Sequence, residues 1–301
     1  MDKKLLFIYN PHAGKASIRS NLLDIIDVFT KSGYSVTVRP TQKTGDAIEA
    51  VVEREGDYEL LVCSGGDGTL DEVVTGMMRR QDRIPIGYVP AGTTNDFAKS
   101  LGISRNMIKA AGDIMEGHDY ACDIGTFNND VFVYIAAFGL FTDVSYETNQ
   151  QVKNVLGHLA YVLEGVKRIS AIPNYHLRIE TEQGQFEGDY MFGMITNSVS
   201  VGGFKKIAGR NVKLDDGLFE VTLIKIPYNM IELNLIVSSL LGHRIHSDYM
   251  QCFKVKSINI ESDDEIPWTL DGEFGGRHKI VEIINQKGAL HLIVPPKKKK
   301  L

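Results

Sequence analysis

Cysteine is scarce in this sequence, and long hydrophobic runs are absent. The three cysteines, Cys63, Cys122 and Cys252, lie far apart without a CxxC spacing, which argues against a disulfide framework and a cysteine zinc site. The apolar stretches at 131–141 and 231–241 are shorter than the roughly 20 residues that span a bilayer. The first residues also lack a secretory pattern. We therefore expect a cytoplasmic protein without a transmembrane segment.

Positive charge is also in short supply. Lys and Arg total 33 against 38 Asp and Glu, a net charge of −5, and setting aside the four lysines of residues 297–300 leaves −9. This acidic body argues against nucleic acid as a partner, because phosphate backbones require a broad basic face.

The four lysines of residues 297–300 follow Pro295-Pro296, and two interpretations of them are open. They form a solubilising tail, or each contributes about 1 kcal/mol of binding free energy at an anionic lipid surface.

The length of 301 residues exceeds what one hydrophobic core usually fills and predicts two domains. In the first part of the chain, short apolar runs alternate with amphipathic ones at 5–9, 18–31, 36–38, 46–54, 60–63, 69–79 and 86–89. The helical spacing after Ser17, a candidate N-cap, predicts a helix over 18–31. Repeated strand–helix units predict a mostly parallel sheet whose ligands lie beyond the C-terminal strand ends.

After about residue 123 the pattern changes to strands separated by turns. Strand-like segments fall at 175–181, 186–197, 219–225, 253–261 and 290–294, with helical exceptions at 152–169 and 231–241. We therefore expect an α/β nucleotide-binding domain over 1–123 and a mainly antiparallel β-rich domain over 124–294. Residues from about 295 to 301 are expected to pack back on the first domain.

Three loops follow predicted strands of the first domain, at 10–15, 64–69 and 90–96. Loops at the C-terminal ends of neighbouring parallel strands should converge on one crevice. Their glycines allow a phosphate to approach the main chain, and helices opening from two of them would direct N–H groups at it. A polyphosphate is the expected ligand.

The standard nucleotide loops do not match these segments. A P-loop needs Gly where Tyr9 stands and Ser or Thr where Ala16 stands, and a dinucleotide fingerprint needs Gly at Asp71. A single glycine loop of this kind is more often an ordinary strand–helix turn. Three such loops at consecutive strand ends favour a binding site instead.

The residues resemble the diacylglycerol kinase catalytic domain family, with the best match among soluble bacterial lipid kinases. The matching motifs are Asn10-Pro11 with Gly14-Lys15, Gly65-Gly66-Asp67-Gly68-Thr69 with Glu72, Pro90 with Gly92-Thr93 and Asn95-Asp96-Phe97-Ala98, Lys213-Leu214-Asp215-Asp216-Gly217, and Leu270-Asp271-Gly272-Glu273. They cover nearly the whole chain. The Gly-Asp-Gly-Thr element alone is less specific, because NAD kinases and phosphofructokinases carry a similar one.

The resemblance implies a Rossmann-like α/β domain of the NAD kinase and phosphofructokinase type, followed by an antiparallel β-sandwich. It implies ATP as cofactor in the first domain, bound by Asn10, Pro11, His12, Ala13, Gly14, Lys15, Thr41, Gly65, Gly66, Asp67, Gly68, Thr69, Leu70, Asp71, Glu72, Thr93 and Asn95. Asp71 departs from the family, which usually has Asn there. A carboxylate beside phosphates repels them unless a cation or Lys15 offsets its charge.

Phosphoryl transfer needs Mg²⁺ to neutralise phosphate oxygens and a group to accept the hydroxyl proton. Asp67 and Asp123 are candidates for holding a catalytic Mg²⁺ through water. The resemblance makes Glu273 the proton acceptor and Asp271 its partner. In an extended segment these two carboxylates would share a face, where repulsion raises one pKa. The alternative is a surface turn, because Asp-Gly is common in hairpins.

A second, structural Mg²⁺ is implied at the acidic turn of the second domain. It would be held by the Asp216 carboxylate and the main-chain oxygens of Lys213 and Leu218. The alternative is a solvated turn that needs no metal.

We therefore expect an ATP- and Mg²⁺-dependent kinase of phospholipid metabolism. Its acceptor is expected to be a lipid hydroxyl, with diacylglycerol converted to phosphatidic acid, during transient contact with the inner membrane surface. A homodimer is compatible with the sequence. Two alternatives are a soluble small-molecule kinase of the NAD kinase type and a non-catalytic nucleotide-binding regulator. Asp71 is the only feature that favours the regulator.

Overall fold

The computed structural model describes residues 3–14, 16–93, 95–139, 172–198, 212–240 and 248–296. The chain forms two compact units. The first contains Met1–Cys122 and Gly288–Leu301, and the second contains Asp123–Lys287. The first unit therefore takes its chain from two separate stretches of sequence.

The first unit alternates strands and helices as the sequence pattern predicts. Its elements are β1 (Lys3–Tyr9), α1 (Ile18–Lys31), β2 (Tyr34–Pro40), α2 (Asp46–Val52), β3 (Leu60–Gly65), α3 (Asp67–Arg79), β4 (Ile86–Pro90), α4 (Asp96–Ser100) and α5 (Met107–Glu116). The strands pair in the order β2-β1-β3-β4, all parallel. The C-terminal ends of β1, β3 and β4 are therefore neighbours at one edge.

Helix α1 has the bounds that the periodicity predicts. Ile18, Ile25 and Phe29 are buried in the core of the first unit, and the helix packs against α5. Ser17 occupies the N-cap position, but its side chain makes no capping hydrogen bond. Its hydroxyl donates to the Met107 sulfur at 3.7 Å instead, so the predicted capping role is wrong.

The second unit is mainly antiparallel. Its elements are β5 (His118–Phe127), which begins in the first unit, β6 (Asp130–Phe132), β7 (Ile135–Gly139), β8 (Tyr175–Thr181), β9 (Gly184–Thr196), β10 (Phe219–Lys225), α6 (Met230–Leu240), β11 (Met250–Val255), β12 (Ser257–Leu270) and β13 (Glu273–Val294). The strands pair in the order β11-β10-β9-β7-β12-β13, and β8 pairs with both β9 and β12. Buried aromatic residues, including Trp268 and Phe138, fill its core.

Two predicted strands differ in the structure. The single strand predicted over 253–261 is wrong, because a bend at Lys256 separates β11 from β12. The short strand predicted over 290–294 is the end of the much longer β13. Leu292 and Ile293 pair in parallel with β4, so 288–294 belong to the first unit, whereas the sequence suggested the second domain. The predicted helix over 152–169 lies outside the described residues.

Candidate active site

The three predicted nucleotide loops lie against one another at the ends of β1, β3 and β4. Gly14 has φ +55°, and a Cβ atom there would lie 2.4 Å from the carbonyl oxygen of Ala91. A Cβ atom on Gly92 would lie 2.6 Å from the Cα of Gly66. Side chains at Gly14 and Gly92 would therefore force the loops apart. The predicted convergence of the three loops is confirmed.

Asn10 ties the first loop to the second. Its main-chain N–H donates to the carbonyl oxygen of Ser64 at 2.9 Å, and its Nδ2 donates to Oγ1 of Thr69 at 3.3 Å. Its Oδ1 accepts from the main-chain N–H of His12 at 2.9 Å. The Asn10 side chain therefore fixes the first loop against the second.

Glu72 holds the segment that carries Thr41. The Glu72 carboxylate accepts from the main-chain N–H groups of Gly45 at 2.8 Å and Ala47 at 3.2 Å, at the start of α2. Thr41 donates its main-chain N–H to the carbonyl oxygen of Tyr9 at 2.9 Å. A cavity of about 220 Å³ lies beside this segment, lined by Asn10, His12, Thr41, Gln42, Lys43, Thr44, Thr69 and Glu72. The sequence pattern did not indicate that Glu72 bonds to α2.

The third loop is closed by Asn95, which has φ +49° and is 4% exposed. Its Oδ1 accepts from the Gly92 N–H at 3.0 Å, and its Nδ2 donates to the Gly92 carbonyl oxygen at 2.8 Å. The buried hydroxyl of Tyr88 lies 3.3 Å from the same Oδ1. Burial, and secondly the charge of Asp67, raises the pKa of Tyr88 well above its ordinary value. Tyr88 was not foreseen, because it resembles any apolar residue of a buried strand.

The other predicted nucleotide residues differ in exposure. Pro11 and Ala13 lie in the first loop, and Gly65, Gly66, Asp67, Gly68, Leu70 and Asp71 lie at the end of β3 and the start of α3. Leu70 is buried in the core, so only its main chain is available to a nucleotide. Thr93 is exposed and Asp71 is half-buried. Lys15 lies outside the described residues.

The start of α3 fits a bound phosphate. The helix begins after Gly66, and a glycine has no side chain that could cap the first N–H groups. Such groups carry the positive end of the helix dipole and need an acceptor. The nearby glycines leave room for an anion to reach them, which is how phosphates bind at helix starts. The residues of the three loops therefore fit the triphosphate of ATP.

Asp271 and Gly272 form the two-residue turn between β12 and β13, with φ values of +51° and +91° and Leu270 paired to Glu273. The expected extended segment is wrong, and the hairpin alternative describes the backbone. The Asp271 carboxylate is buried and accepts the main-chain N–H groups of residues 133–135 at 2.5–2.9 Å. Glu273 is exposed. The two carboxylates thus have different surroundings, and their catalytic roles stay predictions.

Asp123 is fully buried and holds the acidic turn that follows Leu214. Its N–H donates to the Leu214 carbonyl oxygen at 2.7 Å, and its Oδ2 accepts from the Gly217 N–H at 2.6 Å. Its carbonyl oxygen accepts from Nδ2 of Asn197 at 2.6 Å. These bonds give Asp123 a structural role that its predicted metal role did not include.

Asp216 already has partners for both carboxylate oxygens. Oδ1 accepts from the Leu218 N–H at 3.1 Å, and Oδ2 accepts from the Lys254 ammonium at 3.2 Å. Lys254 also pairs with the buried Glu220 at 2.9 Å, and burial raises the pKa of Glu220 to about 7 although Lys254 opposes the shift. Lys213 is exposed. A cation at this turn would share the Asp216 carboxylate with Lys254.

No cluster of three or more metal-binding side chains occurs in the part of the chain that the structure describes. A magnesium ion would therefore need main-chain, water or phosphate oxygens for most of its ligands. This is how Mg²⁺ usually binds in phosphoryl-transfer enzymes. The Mg²⁺ assignments to Asp67, Asp123 and Asp216 stay predictions.

Comparison with protein families gives two matches. The model of the diacylglycerol kinase catalytic domain matches residues 4–127. The model of the YegS C-terminal NAD kinase beta sandwich-like domain matches residues 135–294. Together they confirm the predicted fold class, an α/β domain followed by a β-sandwich.

Similar proteins cover nearly the whole chain. A diacylglycerol kinase of Staphylococcus carnosus (strain TM300) is 36% identical over 92% of this chain and 90% of its own length. A diacylglycerol kinase of Bacillus subtilis (strain 168) is 32% identical over 98% of each chain. A crystal structure of a diacylglycerol kinase from Bacillus anthracis (strain Sterne) matches with a TM-score of 0.76 and 24% identity, covering 98% of this chain and 97% of that one. The resemblance seen in the sequence motifs is thus confirmed, and the chain belongs to the diacylglycerol kinase family.

Proposed function

We propose that this chain transfers the γ-phosphate of ATP to the free hydroxyl of diacylglycerol, which forms phosphatidic acid and ADP. Membership of a kinase family implies that it is an enzyme that uses ATP and a lipid acceptor. The observation that carries the proposal is the convergence of three glycine loops at the start of α3, a helix whose N-cap residue is Gly66. Such an arrangement binds phosphate groups through the main chain.

In this proposal the first unit holds the nucleotide. The start of α3 takes the phosphates, and Thr41 and Thr93 supply hydroxyl groups at the rim of the loops. Asn10 and Glu72 contribute mainly by fixing the loops, since each is engaged in hydrogen bonds to the main chain. Hydrogen-bond donors that are already fixed in place stabilise the negative charge of the phosphate group during its transfer, because they need no reorganisation in the reaction.

Glu273 is our candidate base. The acceptor hydroxyl oxygen would attack the γ-phosphorus, the bond between that phosphorus and the ADP oxygen would break, and the hydroxyl proton would pass to the Glu273 carboxylate. Glu273 is exposed, and the neighbouring Phe274 ring is 53% exposed. A carboxylate beside an exposed aromatic ring suits an alcohol that carries apolar chains. Asp271 would support the base by fixing the turn that presents it.

Mg²⁺ would neutralise the β- and γ-phosphate oxygens when bound. We propose Asp67 and Asp123 as carboxylates that hold it through water, and Asp216 with the carbonyl oxygens of Lys213 and Leu218 for a structural ion.

The chain is also proposed to touch the membrane surface transiently. No helix among those described is long and apolar enough to cross a bilayer. Tyr228 and Ile231, at the start of α6, are 78% and 74% exposed. Their turn is fixed by Glu232, whose carboxylate accepts from the Tyr228 N–H at 2.7 Å. The lysines of residues 297–300, the other candidate membrane contact, lie outside the described residues.

A direct test is phosphate transfer from radiolabelled ATP to diacylglycerol in mixed micelles. We expect labelled phosphatidic acid that requires both Mg²⁺ and micelles, and loss of the label with Glu273→Gln. Lipid extracts offered in the same assay identify the preferred acceptor. Folded protein that labels no hydroxyl lipid would contradict the proposal, and labelling of water-soluble alcohols alone would favour a small-molecule kinase.

A further inference from the structure

A buried tyrosine outside the nucleotide motifs joins the loops that follow β3 and β4. Tyr88 lies in β4 and is 1% exposed. Its hydroxyl oxygen lies 3.1 Å from the carbonyl oxygen of Gly65 and 3.3 Å from Oδ1 of Asn95. Gly65 is the last residue of β3 and lies in the second loop, and Asn95 closes the third. One hydroxyl group therefore faces acceptors in both loops and shares its single proton between them.

We propose that Tyr88 is a positioning residue for the nucleotide, because its hydroxyl fixes the spacing between the second and third loops before ATP binds. The inference rests on the proposed function, since it concerns the same nucleotide site. It assigns a role to a residue that touches neither the phosphates nor the acceptor.

The two loops leave little room for adjustment. A Cβ atom on Gly92 would lie 2.6 Å from the Cα of Gly66. A small shift of one loop therefore changes where both present their N–H groups. A site whose donors are already in place binds its ligand more tightly, because less ordering accompanies binding.

The hydrogen bonds of the hydroxyl indicate what its loss would change. The Gly65 carbonyl oxygen also accepts from the N–H groups of Ala91 at 2.8 Å and Gly92 at 3.2 Å, so the strands stay joined without Tyr88. Oδ1 of Asn95 would keep only the Gly92 N–H among its described donors. Removing the hydroxyl should therefore loosen the third loop and leave the sheet intact.

The hydroxyl is also held in its donor form. Burial raises the pKa of Tyr88, and the negative charge of Asp67 raises it further. The group therefore keeps its proton at neutral pH.

The test compares Tyr88→Phe with Tyr190→Phe. Tyr190 is a matched control because its ring is also 1% exposed, and its hydroxyl donates to Oε1 of Gln251 in the second unit. ATP affinity is measured by titration with a fluorescent ATP analogue, without lipid. We expect Tyr88→Phe to weaken ATP binding by about three- to tenfold, the effect of losing one hydrogen bond, and Tyr190→Phe to leave it unchanged. In the kinase assay the KM for ATP should rise and the KM for lipid should not.

If Tyr88 had a purely structural role, Tyr88→Phe would lower the melting temperature and leave the affinity for ATP unchanged. ATP binding by folded Tyr88→Phe at the affinity of the unsubstituted chain would overturn the inference. Should Tyr88→Phe not fold, Asn95→Gly removes the acceptor together with the two hydrogen bonds to Gly92, so ATP binding by that variant at the affinity of the unsubstituted chain would overturn the inference. With both variants folded, Tyr88→Phe should add nothing in the Asn95→Gly background. Failure of lipid phosphorylation with intact ATP binding would count against the proposed function alone.

Discussion

The carboxylate of Glu72 accepts the main-chain N–H of Gly45 at 2.8 Å and so connects helix α3 to the segment that begins at Thr41. Glu72→Gln replaces one acceptor oxygen by an amide donor that faces an N–H group. We expect the segment to loosen and ATP affinity to fall by about tenfold. Glu53→Gln, an exposed residue at the end of α2, is the control and should bind ATP normally. Equal affinities for the two variants would contradict this role for Glu72.

Gly14→Ala should abolish nucleotide binding through a steric effect. The new Cβ would lie 2.4 Å from the Ala91 carbonyl oxygen, so the first and third loops must separate. Gly33→Ala is a matched control, because Gly33 also has a positive φ, +87°, but a Cβ atom there would meet none of the described atoms beyond its chain neighbours within 4 Å. Both variants should lose about 1 kcal/mol of stability from backbone strain. Calorimetric ATP titration should show binding by Gly33→Ala only.

Amide substitution of the turn carboxylates should change stability at Asp271 and turnover at Glu273. Asp271→Asn places an amide group against main-chain donors of residues 133–135 and should cost about 2–3 kcal/mol of unfolding free energy. Glu273→Gln should leave the melting temperature unchanged and lower kcat by about 10²- to 10⁴-fold, the usual contribution of a general base. Thermal melts and steady-state kinetics separate the two roles. A normal kcat for Glu273→Gln would show that Glu273 is not the general base.

His176 should contribute a pH-dependent stabilisation to the second unit. Hydrogen bonds to Asp189 at 3.0 Å and then to Glu187 at 3.1 Å raise its pKa above 6.5. A raised histidine pKa stabilises the fold fully below 6.5, and the contribution is lost as the pH rises through the folded-state pKa. The melting temperatures of the unsubstituted chain and His176→Gln should therefore converge above that value. An NMR titration of Asp189→Asn should show the His176 pKa moving down towards 6.5.

Membrane contact should depend on the exposed residues at the start of α6. Replacing Tyr228 and Ile231 by serine should reduce co-sedimentation with phosphatidylglycerol vesicles by at least about tenfold, because two large apolar side chains no longer enter the lipid. Leu23→Ser is the control, since Leu23 is 80% exposed on α1. An equal loss for the control, or none for the pair, would contradict this assignment.

Much of the fold was predictable because it follows from periodicity. Helix α1 and strands β8 and β10 have the bounds that their apolar spacing predicts. The bend at Lys256 was missed because that position carries no turn residue, so two strands resemble one.

The nucleotide loops were predictable because glycine and turn residues mark strand ends locally. The buried role of Asp271 was not, because its partners lie in residues 133–135, far away in the sequence. Tyr88 was missed because it resembles any apolar residue of a buried strand, and only the folded loops bring the Asn95 side chain to its hydroxyl. Residues that act through distant main-chain groups leave no local pattern.

Strand β13 has a consequence for the order of folding. Its last residues complete the parallel sheet of the first unit beside β4, yet the ribosome makes them after the whole second unit. During synthesis the main-chain groups of β4 that pair with β13 therefore stay unpaired, and such open strand edges promote aggregation. The nascent chain should consequently depend on chaperones until residues 288–294 emerge.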